Sequence, residues 1–372
     1  MKGVYIVADN ILSPIGNSTK ENFDSVKKGI SAIRQISDTR LSTEPFYASM
    51  FLNREETNSF TRFENLCIQS VEAALSQTEI KLSSADTVFI LSTTKGNIEL
   101  IEESEMSEAI RNRVSLFNTA RTIAGYFGAV NKPLVVSNAC ISGVLSVIIA
   151  RRLLQSGKYK HAVICGADVL SKFVISGFQS LSAMSKNVCK PFDVERDGIN
   201  LGECAATMII STEKSLSKNI LVNGGASSND ANHISGPSRT GLELSYAVNT
   251  AMSDSGAMAA DLSFISAHGT ATLFNDEMEA KAFSNSLLSD IPLYSLKGNF
   301  GHTLGAAGVV ESVLTYQSLL DGVVLPSKNF EASGVSQPVN VSRSVSTSNK
   351  KHALKTASGF GGCNAAIIYS RT

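Results

Sequence analysis

Cys140, His268, Lys297 and His302 are the residues whose types and settings could do chemistry together. Each lies among glycines or small residues after an apolar run. SNACISG surrounds Cys140, SAHGTAT surrounds His268, KGNFGHTLGAAG carries Lys297 and His302, and a GFGG turn carries Phe360. A cysteine thiolate attacks thioesters and other activated acyl groups, and histidines facing it act as general base or as N–H donors to a developing oxyanion. Singly, each residue has a plainer reading: a core cysteine, a hydrogen-bonded structural histidine, a solvated lysine. The combination is what points to nucleophilic acyl chemistry.

Those residues need elements to bring them together. LVV at 134–136 reads as a buried strand, and ISGVLSVIIARRLL has apolar residues at 141, 144, 145, 148, 149 and 153, the stripe of a packed helix. Cys140 sits at the join, where the helix N-terminus is expected to favour a thiolate near neutral pH. Strands also read at VYIV, TVFILST, HAVICGAD and up to Ser211, alternating with helices. That alternation implies a mostly parallel sheet covered on both faces. From Asn219 the pattern begins again, so two similar halves, 1–212 and 213–372, are expected. In such sheets ligands bind at the carboxyl ends of strands, where Cys140, His268 and the 297–302 loop would converge. Residues 29–61 read as surface loops, GNIELIEESEMSEAIRN as an acidic helix, and 327–352 as an exposed Ser-rich excursion. The close, KTASGFGGCNAAIIYS, reads as a hairpin.

Composition narrows the class. With 372 residues and 43% hydrophobic content the chain can bury a large core, and 33 basic residues balance 33 acidic ones. Nothing in that charge suggests nucleic acid or a membrane surface. The six cysteines form no CxxC pair and no ligand spacing with the five histidines, which speaks against a zinc site or a disulfide framework and for a cytoplasmic setting. No apolar run is long enough for a membrane span, and neither phosphate-loop pattern follows a strand. His161 and His352 are read as structural; His233 stands in a weaker setting than the four residues above.

SPIGN near the start, SNACISG, KPFDVERDGINLGE, SAHGTATLFNDEMEAKA, SLKGNFGHTLGAAGVVES and SGFGGCNAA together resemble the β-ketoacyl-acyl carrier protein synthases, over nearly the whole chain. Glu279 follows His268 by eleven residues and His302 follows Lys297 by five, as the family pattern requires. The resemblance implies an α/β fold of the thiolase-like, duplicated αβαβα type with mixed, mostly parallel sheets. It implies decarboxylative condensation of an acyl group with malonyl-acyl carrier protein. Cys140 would accept the acyl group, and His268 and His302 would bind and decarboxylate the malonyl unit. Lys297 would position the histidines, with Glu279 behind them. Phe360 would gate the site and, with Cys140, supply oxyanion N–H groups. Thr270 and Thr272 would hold the phosphopantetheine arm, which arrives on the carrier, so no metal or other cofactor is expected.

The partners implied are the acyl carrier protein and a second copy of the chain, or a chain-length factor in a heterodimer. Arg151, Arg152 and Lys172 are candidates for a basic patch facing the acidic carrier. Cys363 stands where threonine is usual and Cys204 where glycine or alanine is usual, and both read as packing variants. The chain is short for the family before Cys140, and its motifs look closer to synthases of aryl polyene and flexirubin-type clusters than to housekeeping enzymes. A non-catalytic chain-length factor would lack Cys140, a degradative thiolase would have a second catalytic cysteine, and a chain-initiating synthase would have asparagine in place of His302.

Overall fold

Ten strands build the frame in a computed structural model that describes residues 2–52, 60–103, 105–232 and 234–372. In the first half they are β1 (Tyr5–Leu12), β2 (Thr87–Ser92), β3 (Leu134–Val136), β4 (His161–Asp168) and β5 (Cys204–Ser211). In the second they are β6 (Ile220–Asn229), β7 (Leu262–Ser266), β8 (Pro292–Tyr294), β9 (His352–Gly359) and β10 (Cys363–Arg371). The first five run in the order β3-β2-β4-β5-β1, and the second five in the order β8-β7-β9-β10-β6. Strand sense repeats as well: parallel, parallel, antiparallel, antiparallel in each half. The halves meet where β1 and β6 pair at Tyr5 and Leu221, which joins them into one mixed sheet.

The layers follow from where apolar side chains face. A central core packs the helix Ser142–Gln155 against the helix Ala307–Asp321 through Val144, Val147, Ile148, Val309 and Val313. Outside it, Phe63, Val71 and Ile123 cover the far face of the first half, and Leu244, Val248 and Phe283 cover that of the second. The result is the αβαβα arrangement. In each half the central helix follows the third strand.

The two central helices cross backbone to backbone. A Cβ on Gly308 would stand 2.3 Å from the Val144 nitrogen, and one on Gly143 2.5 Å from the Val309 nitrogen. Neither neighbour is a side chain that could swing away. Gly308→Ala is therefore expected to destabilise the fold by about 3 kcal/mol, the upper end for overpacking, seen as a lowered urea midpoint.

Several details differ from the sequence reading. The stretch 29–61 contains two short strands, Ile33–Ile36 and Phe46–Ser49, paired with each other and then with Leu201–Gly202. Four-residue strands paired over that distance leave no local periodicity to read. The acidic segment forms two short helices, Leu100–Glu103 and Glu108–Val114. The Ser-rich excursion is tied in, since Asn340–Val341 extends the sheet beside β8. Arg151 is no part of a basic patch: it is buried, paired with Asp254 at 2.7 Å and donating to the Val222 and Asn223 carbonyls. Arg152 and Lys172 are exposed. Cys204 is buried and donates to the Leu12 carbonyl. His161 and His352 each bond a serine across equivalent strand pairs, Ser211 at 2.9 Å and Ser370 at 2.7 Å. His233 lies outside the described residues. No helix among the described residues is long and apolar enough to cross a membrane.

Candidate active site

Cys140 is placed by a tight turn between β3 and its helix. Ala139 takes a left-handed φ of 44°, uncommon for a residue with a side chain, and turns the chain so that Cys140 precedes the helix. Ser142 locks that turn: its hydroxyl accepts the Asn138 N–H at 2.8 Å and donates to the Ala139 carbonyl at 2.6 Å. Gly359 closes over it, for a Cβ there would lie 2.9 Å from the Cys140 nitrogen and 3.0 Å from Cys363 Sγ. Cys363 is thus buried, as expected of a packing residue, but it packs beside Cys140.

The second half brings both histidines to this turn. His268 follows the end of β7, and His302 follows β8 before its helix. One ring nitrogen of each histidine and Cys140 Sγ lie within 4.8 Å of one another. The imidazoles meet edge to face, with centroids 5.1 Å apart. A cavity of about 450 Å³ opens onto the three residues and is also lined by Thr270, Thr272, Phe178 and Phe360. Thr270 and Thr272 share a hydroxyl hydrogen bond of 2.8 Å. Phe360 is 40% exposed, and its ring stacks on Phe178 at 5.9 Å.

His302 has a fixed tautomer. The Leu304 N–H donates to Nδ1 at 3.2 Å, so the neutral ring carries its proton on Nε2. That Nε2 is buried without a hydrogen-bond partner among the described residues, a donor waiting for an acceptor. His268 has Nδ1 unpartnered, so its ring is free to offer a lone pair.

Lys297 and Glu279 stand behind the histidines. Lys297 is fully buried, donates to the His268 carbonyl at 3.1 Å and pairs with Glu311. Glu279 accepts the N–H of His268 at 2.9 Å and of Gly269 at 2.6 Å, the Asn275 amide at 3.0 Å and the Thr356 hydroxyl at 3.0 Å. Asp168, at the end of β4, accepts from Thr93, from Thr94 and, at 2.7 Å, from the Gly305 N–H, tying the first half to the segment after His302.

The sequence reading did not single out Glu311, Lys355 or Asp168. For Glu311 the signal was present: it is one acid within the otherwise uncharged stretch GAAGVVESVLTYQSLL, and a charge there has to be paired inside the fold.

Electrostatics correct one expectation. Burial pushes the Cys140 thiol up to about 12, and the neighbouring Cys363 adds to this. Lys297 and the Phe360 N–H, directed at the sulfur, pull the other way without prevailing. Burial thus opposes the thiolate that the helix N-terminus favours, and a base facing the sulfur would offset it. Burial first, then Lys297, holds both His268 and His302 well below the usual 6.5, so both rings are neutral. Their folded values lie under the unfolded one, so their contribution to stability is complete above about 6.5 and is lost as pH falls through the lower folded values. His161 and His352 shift in the same direction, also by burial. A urea midpoint that falls between about pH 7.5 and pH 5 is the expected result.

Residues 1–215 match the family model described as "Beta-ketoacyl synthase, N-terminal domain", and residues 220–331 its C-terminal counterpart. A 3-oxoacyl-[acyl-carrier-protein] synthase 2 of Staphylococcus aureus (strain COL) is 27% identical over 409 aligned positions, covering 100% of this chain and 98% of the relative. Among solved structures, the ishigamide ketosynthase/chain length factor superposes with a TM-score of 0.92 at 22% identity, covering 100% of this chain and 99% of the other. A ketosynthase in complex with its chain length factor from Xenorhabdus doucetiae superposes with a TM-score of 0.88 at 24% identity, covering 100% and 98%.

Proposed function

We infer the reaction from a premise that the sequence matches establish: the chain belongs to the beta-ketoacyl synthase family. Members are acyltransferases, and the reading here is condensation of an acyl group carried on Cys140 with a malonyl unit delivered on acyl carrier protein. The observation that carries it is the meeting of Cys140 Sγ with two neutral imidazoles within 4.8 Å, one fixed as a donor and the other free to accept.

In the first half-reaction Cys140 Sγ bonds to the thioester carbonyl carbon while its proton passes to His268, the ring whose lone pair is free. N–H groups of Phe360 and Cys140 face the oxyanion. The carbon–sulfur bond to the carrier then breaks, and the leaving thiolate takes the proton back from His268. In the second, malonyl-carrier enters, carbon dioxide departs, and the electron pair of the broken carbon–carbon bond moves onto the thioester as an enolate. His302 Nε2–H donates to the enolate oxygen as charge develops there, joined by the N–H that the neutral His268 ring carries. The enolate carbon attacks the acyl-cysteine, and the Cys140 thiolate is released and reprotonated.

The phosphopantetheine arm reaches the cavity past Thr270 and Thr272, with the Phe360–Phe178 stack at the mouth. The carrier protein is the donor of both substrates. A second copy of the chain or a chain length factor completes the assembly, supported by the solved ketosynthase and chain length factor pairs of the same fold. A purely non-catalytic partner role is disfavoured, because it leaves a complete Cys-His-His cluster without a use.

Intact-protein mass spectrometry after incubation with a panel of acyl-carrier thioesters tests the reading. Wild type should gain the acyl mass and lose it, with product, on addition of malonyl-carrier, whereas Cys140→Ala should gain nothing. If wild type also stays unmodified with every donor, with and without a candidate partner subunit, catalysis is excluded.

A further inference from the structure

We propose that Lys355 is a positioning residue of this site: by pairing with Glu311 it adds a second buried positive charge, beside that of Lys297, behind the two histidines, and it fixes the backbone that carries His268. The inference rests on the reaction assigned above for its purpose, though not for its geometry.

Lys355 lies in β9 and is fully buried, a rare state for a lysine and one that requires full pairing. Its Nζ is 2.7 Å from Glu311 Oε2, while Lys297 takes Glu311 Oε1. The same ammonium donates to the Ser266 carbonyl at 3.2 Å and the Ala267 carbonyl at 3.3 Å, and Lys297 donates to the His268 carbonyl. Three successive carbonyls, 266 to 268, are therefore held by two ammonium groups bridged through one carboxylate. The backbone of the histidine is pinned from behind while its ring faces the cavity.

The charges matter as much as the bonds. Lys297 and Glu311 alone would form a neutral pair. Lys355 adds a second positive charge, with Glu279 as the further carboxylate beside it, in a region from which water is excluded and where charges act at longer reach. The remaining charged or titratable groups facing the imidazoles are Glu279 at the His268 N–H, Asp168 through the Gly305 N–H, Cys140, and each ring on the other. A second positive charge there disfavours protons on both rings and favours the anions the reaction makes, thiolate and enolate. Both lysines act on both histidines in this sense.

The experiment compares wild type, Lys355→Met and the double variant Lys355→Met/Glu311→Gln in the full chain. Ring-labelled histidine NMR against pH reports the imidazoles directly, and only five histidines need assignment. In Lys355→Met the His268 and His302 titrations should move to higher pH, and kcat for malonyl-carrier decarboxylation should fall about tenfold with KM little changed. The double variant removes one negative charge as well, restoring the net charge, and should return both titrations toward wild type. A residue that merely caps carbonyls would give a single variant titrating like wild type, or a double variant displaced further than the single, and either result overturns the proposal. Failure of both variants to fold also overturns it, by making Lys355 a packing residue. Because the NMR titration needs no turnover, a wild type that condenses nothing would sink the assigned reaction while leaving this test readable.

Discussion

His302→Ala is expected to lower condensation about a thousandfold while leaving Cys140 able to take up an acyl group. The size follows from what the ring offers. Leu304 holds Nδ1 as an acceptor, so the proton on Nε2 is directed into the cavity with no competing partner among the described residues. A preorganised donor at a developing oxyanion is worth about 10²–10³ in rate. Alanine also leaves the buried Leu304 N–H without its acceptor, which accounts for the upper end. Acylation uses the other imidazole as base, so the acyl-enzyme should still appear by mass. Single-turnover assays of the two half-reactions check this. Equal losses in both would show that the histidines do not divide the work as assigned.

Glu279→Ala should cost about 3–5 kcal/mol of stability and most of the activity. The carboxylate is fully buried and accepts from four donors, two of them consecutive backbone N–H groups at His268 and Gly269. Each donor left unpaired inside the protein costs about 1–3 kcal/mol. The same two N–H groups hold the chain that aims the His268 ring, so the remaining folded protein should be slow as well as fragile. Glu279→Gln keeps one acceptor oxygen and should recover part of the stability. Urea unfolding followed by decarboxylation assays separates the two effects.

Much of the site was legible because its residue types stand out from their surroundings. A cysteine between a strand and a helix, histidines after strands and a glycine-flanked phenylalanine are visible without coordinates, and the structure gathers Cys140, His268, His302, Phe360, Thr270 and Thr272 around one cavity. What sequence could not supply was anything set by burial. The helix N-terminus at Cys140 suggested a thiolate, but the side chains that enclose the sulfur come from distant segments, and their burial of it pushes the thiol the other way. Arg151 looked like a surface cation, and only its tertiary neighbours, Asp254 and the Val222 and Asn223 carbonyls, reveal it as internal. Lys355 and Glu311 lie 44 residues apart in sequence, and the second lysine on that carboxylate could not be seen without the fold. The repeat of halves was visible in style alone; the identical order and sense of five strands on each side came from hydrogen bonding.

The two halves are joined between Ser211, where β5 ends, and Ile220, where β6 begins. One unit presents the sulfur and the other presents both imidazoles, beside central helices that touch at Gly143 and Gly308. If these units were separate molecules, each encounter of thiol and imidazole would bear the entropy of bringing two bodies together. A single tether makes it intramolecular, where effective molarities of about 10⁵ M and above are reached when the reacting groups are held in place. The sulfur and the two imidazoles are then always present in a fixed one-to-two ratio, and dilution of the protein cannot part them.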